Sequence, residues 1–183
     1  MTDQKMYTLA VLVDNESGVL SQVSRLFSRK GYNIESLAVG KTHRAEVSRI
    51  TIEVLADDDH IILLANQLRK LYPVHSVNIL KPEKSFRREL VMIKVKAPTN
   101  EIRNEIIQIT NIFRGQIVDV SVGALTIALI GNENKINGIE NVLSEFEIIE
   151  LVRTGYVALE RGLDTIYNDT KEKGEFNYGK NVL

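Results

Sequence analysis

Apolar positions along this chain switch between a strand-like and a helix-like period, and the same succession occurs twice. Tyr7 to Val13 is a nearly continuous apolar run of strand length. Val19, Leu20, Val23, Leu26 and Phe27 then recur at helical spacing, and Gly31 is placed to end that helix. Asn33 to Gly40 predicts a second strand and Val47 to Leu55 a third. In the third, Ile50, Ile52 and Val54 alternate with Arg49, Thr51 and Glu53, which predicts one buried and one wet face. Asp57, Asp58 and Asp59 stand where a second helix begins, at the end its dipole makes favourable for acids. Ile61, Leu64, Ala65, Leu68 and Leu71 form its apolar face, and Pro73 stops it. Val74 to Leu80 supplies a fourth strand, so the order is βαββαβ.

The second half repeats this order. Leu90 to Val95 reads as a strand, and Ile102, Ile106, Ile109 and Phe113 as a helix face closed by Gly115. Val118, Val120 and Val122 alternate in one strand. Leu125, Ile127 and Leu129 alternate in the next, after a turn at Gly123. Ile136, Ile139, Leu143 and Phe146 mark the second helix, and Ile148 to Val152 the last strand. A βαββαβ unit lays two helices on one face of an antiparallel sheet, leaving the other face or an edge free for a second copy. The expected fold class is therefore α+β, two ferredoxin-like βαββαβ domains in tandem. The expected division is residues 1–81, a linker at 82–86, residues 87–163, and a polar, mobile tail over 164–183, rich in Asn, Lys, Asp and Gly.

Composition narrows the chemistry. Among 183 residues, 44% are hydrophobic and 26% charged, with a formal net charge of -1, so no basic excess points to nucleic acid. There is no Cys, which excludes disulfides, thiolate metal sites and a Cys nucleophile, and fits a reducing compartment. No signal-peptide core or membrane-length apolar run is present, and the expected location is a bacterial cytosol or a plastid stroma. His43, His60 and His75 fall in a loop, at a helix start and at a strand start, without metal-ligand spacing. There is no phosphate loop, no nucleophile elbow and no assignable acid/base pair. The Asp57–Asp59 run reads as helix capping rather than a cation site. No catalytic residue and no metal site is assigned, and binding is the expected role.

The tract Asp14-Asn15-Glu16-Ser17-Gly18-Val19-Leu20-Ser21 carries the binding chemistry. It leads from an apolar strand into a helix. Gly18 lets a ligand approach the backbone, and the helix start offers N–H groups to a carboxylate or phosphate. An ordinary N-capped helix start fits the same residues.

Further motifs decide between these readings. Asn15-Glu16-Ser17-Gly18-Val19-Leu20-Ser21, Gly31-Tyr32-Asn33-Ile34-Glu35-Ser36-Leu37-Ala38-Val39-Gly40 and Ser48-Arg49-Ile50-Thr51 occur in the first half. Arg88-Glu89-Leu90-Val91-Met92-Ile93-Lys94-Val95, Ile112-Phe113-Arg114 and Arg153-Thr154-Gly155-Tyr156-Val157-Ala158-Leu159-Glu160-Arg161-Gly162 occur in the second. In this order and spacing, from about Lys5 to Leu163, the chain resembles the small, regulatory subunit of acetolactate synthase, a family built on the amino-acid-sensing ACT domain. The resemblance implies an N-terminal ACT domain for effector binding and dimerisation and a C-terminal ACT-like domain for activation. It implies a large catalytic subunit as partner, which carries thiamine diphosphate, magnesium and FAD and makes acetolactate from pyruvate. It also implies feedback inhibition by valine, leucine or isoleucine, at a pocket between two copies that takes its loop from one and its second strand from the other.

In that pocket the carboxylate suits the N–H groups near Gly18 and Val19. Asn15 and Asn33 offer carbonyls to the ammonium, Leu20 and Ile34 an apolar wall, and Ser17 and Ser21 further hydrogen bonds. Ala97-Pro98-Thr99-Asn100 stands at the equivalent loop of the second half and lacks the glycine tract, which implies docking and activation there rather than sensing. Two segments depart from the family pattern: Lys41 stands where Pro is common, with a charged Thr42–Val47 loop after it, and the chain beyond Leu163 has no counterpart. The competing classes are a stand-alone ACT sensor controlling another enzyme or transcription, an RNA-binding ferredoxin-like domain and a small enzyme. They want, respectively, a DNA-binding element, stacking aromatics in place of Arg49, Thr51 and Glu53, and a catalytic constellation.

Overall fold

The computed structural model describes residues 4–169. Its elements are β1 (Lys5–Asp14), α1 (Val19–Lys30), β2 (Ile34–Lys41), β3 (Val47–Ala56), α2 (Asp58–Leu68), β4 (Val74–Leu80), β5 (Ser85–Ala97), α3 (Asn100–Ile112), β6 (Gln116–Ser121), β7 (Gly123–Gly131), α4 (Glu133–Leu143), β8 (Ile148–Arg153) and β9 (Val157–Glu160). The first sheet has the order β2-β3-β1-β4 and the second the order β6-β7-β5-β8. Every pairing is antiparallel. Both units are thus ferredoxin-like, as the periodicity requires.

One face of each sheet carries its helices. Leu9, Val11 and Val13 of β1 pack with Val23 and Phe27 of α1 and Leu64 and Leu68 of α2. Val91, Ile93 and Val95 of β5 pack with Ile106 of α3 and Ile136, Ile139 and Leu143 of α4. Successive strand residues point to opposite faces, so Ala10 and Leu12 of β1 lie away from the helices. They are nonetheless buried, in a third apolar cluster with Val47, Leu80, Ala158 and Ile166.

That cluster exists because the chain folds back. β9 pairs with the start of β5, Ser85 to Arg88, and lies across the outer face of the first sheet, followed by a short 3-10 turn at Ile166–Asp169. Three sequence expectations are corrected as a result. Thr51 and Glu53 are not on a wet face: they are 3% and 5% exposed, because the returning chain covers them. β5 begins at Ser85, so residues read as linker belong to a strand. The extension from Asp164 is not uniformly polar and loose, since Ile166 is buried; its residues past 169 lie outside the described residues. A fourth correction concerns Val118, Val120 and Val122, which are all exposed. The register of β6 against β7 shifts between Ile117 and Asp119, and in this strand only Ile117 reaches the helix-side core.

A polar seam joins the two units. Arg87 Nη1 pairs with the buried Glu53 at 2.8 Å and its Nη2 reaches Glu133 at 2.8 Å. Beside it, within the second unit, Arg153 bridges the buried Glu89 at 3.3 Å and Glu140 at 2.6 Å. Arg49 Nη2 donates to Ala158 O at 2.6 Å, and Tyr156 N donates to Ser36 Oγ at 3.0 Å. Burial pushes the Glu53 carboxyl above the usual glutamate range, against the pull of Arg87. Burial, then a hydrogen bond with Glu89, pushes the Tyr156 hydroxyl up. Removing Arg87 would leave the buried Glu53 without its charged partner, which costs more than forming the pair gains.

Candidate functional site

The four helices differ at their first turns. Asp57 caps α2 by accepting from His60 N, Thr99 caps α3 by accepting from Ile102 N, and Asn132 caps α4 by accepting from Lys135 N. Gly18 begins α1 with φ 84° and no side-chain cap. That left-handed backbone suits glycine, and a Cβ at Gly18 would meet nothing within 4 Å. The space beside Gly18 is therefore open, at the positive end of the α1 dipole.

The remaining predicted residues divide. Ser17, Leu20 and Ser21 are exposed around Gly18, as a binding loop needs. Val19 is core, and its N–H leans back toward Glu16 O at 3.5 Å. Asn15 is largely consumed inside the chain. Its Nδ2 donates to Ala45 O at 2.9 Å, its Oδ1 accepts from Ser48 Oγ at 3.0 Å, and its backbone N donates to Glu46 O at 2.8 Å. It braces the loop more than it presents a carbonyl. Asn33 uses Nδ2 on Glu35 at 2.7 Å, and Ile34 is half-buried against the first core.

Strand register separates these residues. Ile34 lies opposite Val54, which also pairs with Tyr7, whereas Lys41 lies opposite Ser48, the partner of Val13. Asn33 is thus level with the start of β1 and Gly18 with its end, seven residues or roughly 23 Å away. The cavity beside Asn33, of about 550 Å³, also involves Tyr32, Asp57 and His60; the one beside Asn15, of about 430 Å³, involves Asp14, Arg44 and His75. Within one chain the eight predicted residues do not form one pocket.

Sequence reasoning missed the base of the loop. His75 Nε2 meets Asp14 Oδ1 at 2.9 Å, and Asp14 N donates to Pro73 O at 2.9 Å, tying the end of β1 to β4. The only signal was an acid at the strand end and a histidine at a distant strand start. Among the described residues no group of three His, Asp or Glu side chains converges to hold a metal, and no helix is long and apolar enough to cross a membrane.

Tandem βαββαβ units, one of them opening its first helix at a glycine, define a two-domain ferredoxin-like protein. Residues 9–76 match the family model described as the AHAS small subunit-like ACT domain, and residues 88–162 the model described as the small subunit of acetolactate synthase. The acetolactate synthase small subunit of Aquifex aeolicus is 45% identical over 157 residues, covering 86% of this chain and 82% of that protein. The probable acetolactate synthase small subunit of Archaeoglobus fulgidus is 46% identical over 156 residues, covering 85% and 97%. The crystal structure of the small subunit from Thermotoga maritima superposes with a TM-score of 0.80 at 36% identity, covering 86% of this chain and 98% of that one. The chain belongs to the acetolactate synthase small-subunit family.

Proposed function

We propose that this chain activates a catalytic acetolactate synthase large subunit and makes it responsive to a branched-chain amino acid, valine foremost. The observation that carries the effector half is the open start of α1. Three described helices fill that position with their own side chain, and this one does not. The amino acid's carboxylate sits at the first-turn N–H groups beside Gly18, its ammonium against Asn33 Oδ1, and its branched side chain against Leu20 and Ile34.

The separation of Asn33 from Gly18 supports a pocket shared by two copies. β2 is the edge strand of its sheet, with a row of unpaired backbone groups. Antiparallel pairing of β2 with β2 of a second copy sets the Ile34 end of one beside the Lys41 end of the other, where that copy's loop stands. Effector binding then alters how the copies sit, and the catalytic partner feels it. The second unit, whose equivalent loop is closed by Thr99, is assigned to activation. Thiamine diphosphate, magnesium and FAD belong to the large subunit in this reading, and the purified chain alone turns over no pyruvate.

Gly18→Asp tests the assignment. The carboxylate occupies the N–H groups and repels the effector's own; because Gly18 has φ 84°, aspartate there also strains the backbone by about 1–2 kcal/mol, so activation of the large subunit and the thermal midpoint are read beside the valine titration. Valine inhibition of the reconstituted holoenzyme is expected to weaken by tenfold or more, at least about 1.4 kcal/mol of effector binding. Ser21→Ala and Asn33→Ala shift the curve the same way but less. An unmoved valine titration for Gly18→Asp removes the effector from this loop.

A further inference from the structure

The two segments that depart from the family pattern touch each other. The family match ends at residue 162, yet Ile166 is 1% exposed, seated on the outer face of β1 with Ala10 and Leu12. The next residue, Tyr167, faces the loop between β2 and β3. The Arg44 guanidinium carbon lies 4.9 Å from its ring centre, and the His43 ring meets it edge-on at 5.5 Å.

That loop is braced from within. Thr42 N donates to Val47 O at 2.9 Å, Val47 N to Arg44 O at 3.0 Å, and Arg44 N to Thr42 Oγ1 at 3.1 Å. Its far side holds Asn15 through Ala45 O and Glu46 O. A continuous path therefore runs from Tyr167 through Arg44 and the loop to Asn15, three residues before Gly18.

We propose that Ile166 and Tyr167 are positioning residues, a strap that fixes the Thr42–Val47 loop and through it sets Asn15 and the start of α1 for the effector. This rests on the reading that the effector binds at Asn15–Ser21. The physical effect is pre-organisation. A loop already held in its binding position loses less freedom when the ligand arrives, so the effector binds more tightly than it would to the same loop unstrapped. Ile166 supplies the anchor by burial, and Tyr167 supplies direction by its contact with Arg44.

The test uses the full chain with Tyr167→Ala, Arg44→Ala, the double variant and Tyr167→Phe, which keeps the ring. Two readouts are taken: amide hydrogen exchange over residues 42–47 without effector, and the valine midpoint for inhibition of the reconstituted holoenzyme. Both alanine variants are expected to speed exchange in the loop and raise the midpoint about two- to fivefold, the equivalent of one exposed cation–π contact. The double variant matches Tyr167→Ala, which already removes the Arg44 contact together with that of His43. Tyr167→Phe keeps the ring against Arg44 and His43 and falls nearer the parent than Tyr167→Ala in both readouts. Unchanged exchange over 42–47 overturns the strap, and so does faster exchange with a fixed midpoint where Gly18→Asp still abolishes inhibition. A silent Gly18→Asp overturns the site instead, and the exchange rates still decide whether Tyr167 holds the loop.

Discussion

The two βαββαβ units have the same strand order and the same helix layer, and they differ where each meets something outside itself. At the first turn, Gly18 leaves α1 without a side-chain cap, while Thr99 caps α3. On the outer sheet face, β9 and Ile166 cover the first unit, so Leu12, Thr51 and Glu53 are buried. The matching face of the second unit is bare: Met92, Ile130 and Val152 are 38%, 63% and 56% exposed. One topology therefore serves two ends. The unit with the open turn has its outer face sealed by its own chain, and its β2 is an edge strand. The unit with the closed turn leaves apolar side chains exposed on its outer face.

The contrast between the outer faces makes the largest prediction. Leu12→Ala is expected to cost about 2–5 kcal/mol in denaturant unfolding, because it hollows the cluster under Ala158 and Ile166. Met92→Ala, on the corresponding face of the second sheet, should stay within about 1 kcal/mol. Equal losses would mean that the two faces are equally covered.

The seam gives the next effect. Gly155 has φ 76°, and a Cβ there would lie 2.9 Å from Ser36 Oγ and 3.0 Å from Leu37 O. Gly155→Ala should cost about 1–3 kcal/mol through strain and crowding. It should also speed amide exchange along β2, since the bond from Tyr156 N to Ser36 Oγ is lost. A variant as stable as the parent, with β2 exchange unmoved, would show that the units touch without holding one another.

The smallest effect concerns the caps. Thr99→Ala removes the bond to Ile102 N at 3.4 Å and is expected to lower stability by about 1 kcal/mol. The thermal midpoint reports it. A Thr99→Ala loss near zero would erase the distinction drawn between the closed turn of α3 and the open one of α1.

The seam also bears on how independent the units are. A chain ending at Pro82 keeps the complete first sheet but loses Ala158 and Ile166, and so exposes Ala10, Leu12 and Val47. Sequence periodicity cannot report this, because Val157 to Glu160 is a four-residue strand too short to show a pattern of its own.

The sequence by itself determined the elements of both units, their order and the helix-side cores. Val11, Phe27, Leu64, Ile93, Ile127 and Ile139 are buried where the spacing puts them, because helix and strand periods are local properties of the chain. It also marked Gly18, since a glycine at a strand-to-helix turn is a local signal. Tertiary structure alone decided the rest. Thr51 and Glu53 alternate like wet residues but lie under a strand that arrives more than a hundred residues later. Asn15 and Asn33 have matching chemistry but lie at opposite ends of the sheet, because α1 carries the chain back before β2 begins. Tyr167 meets Arg44 because the chain, past the whole second unit, returns to the first. Local periodicity fixes which face of an element is apolar; what covers its other face depends on contacts between residues far apart in the chain, and these exist only once both units are packed.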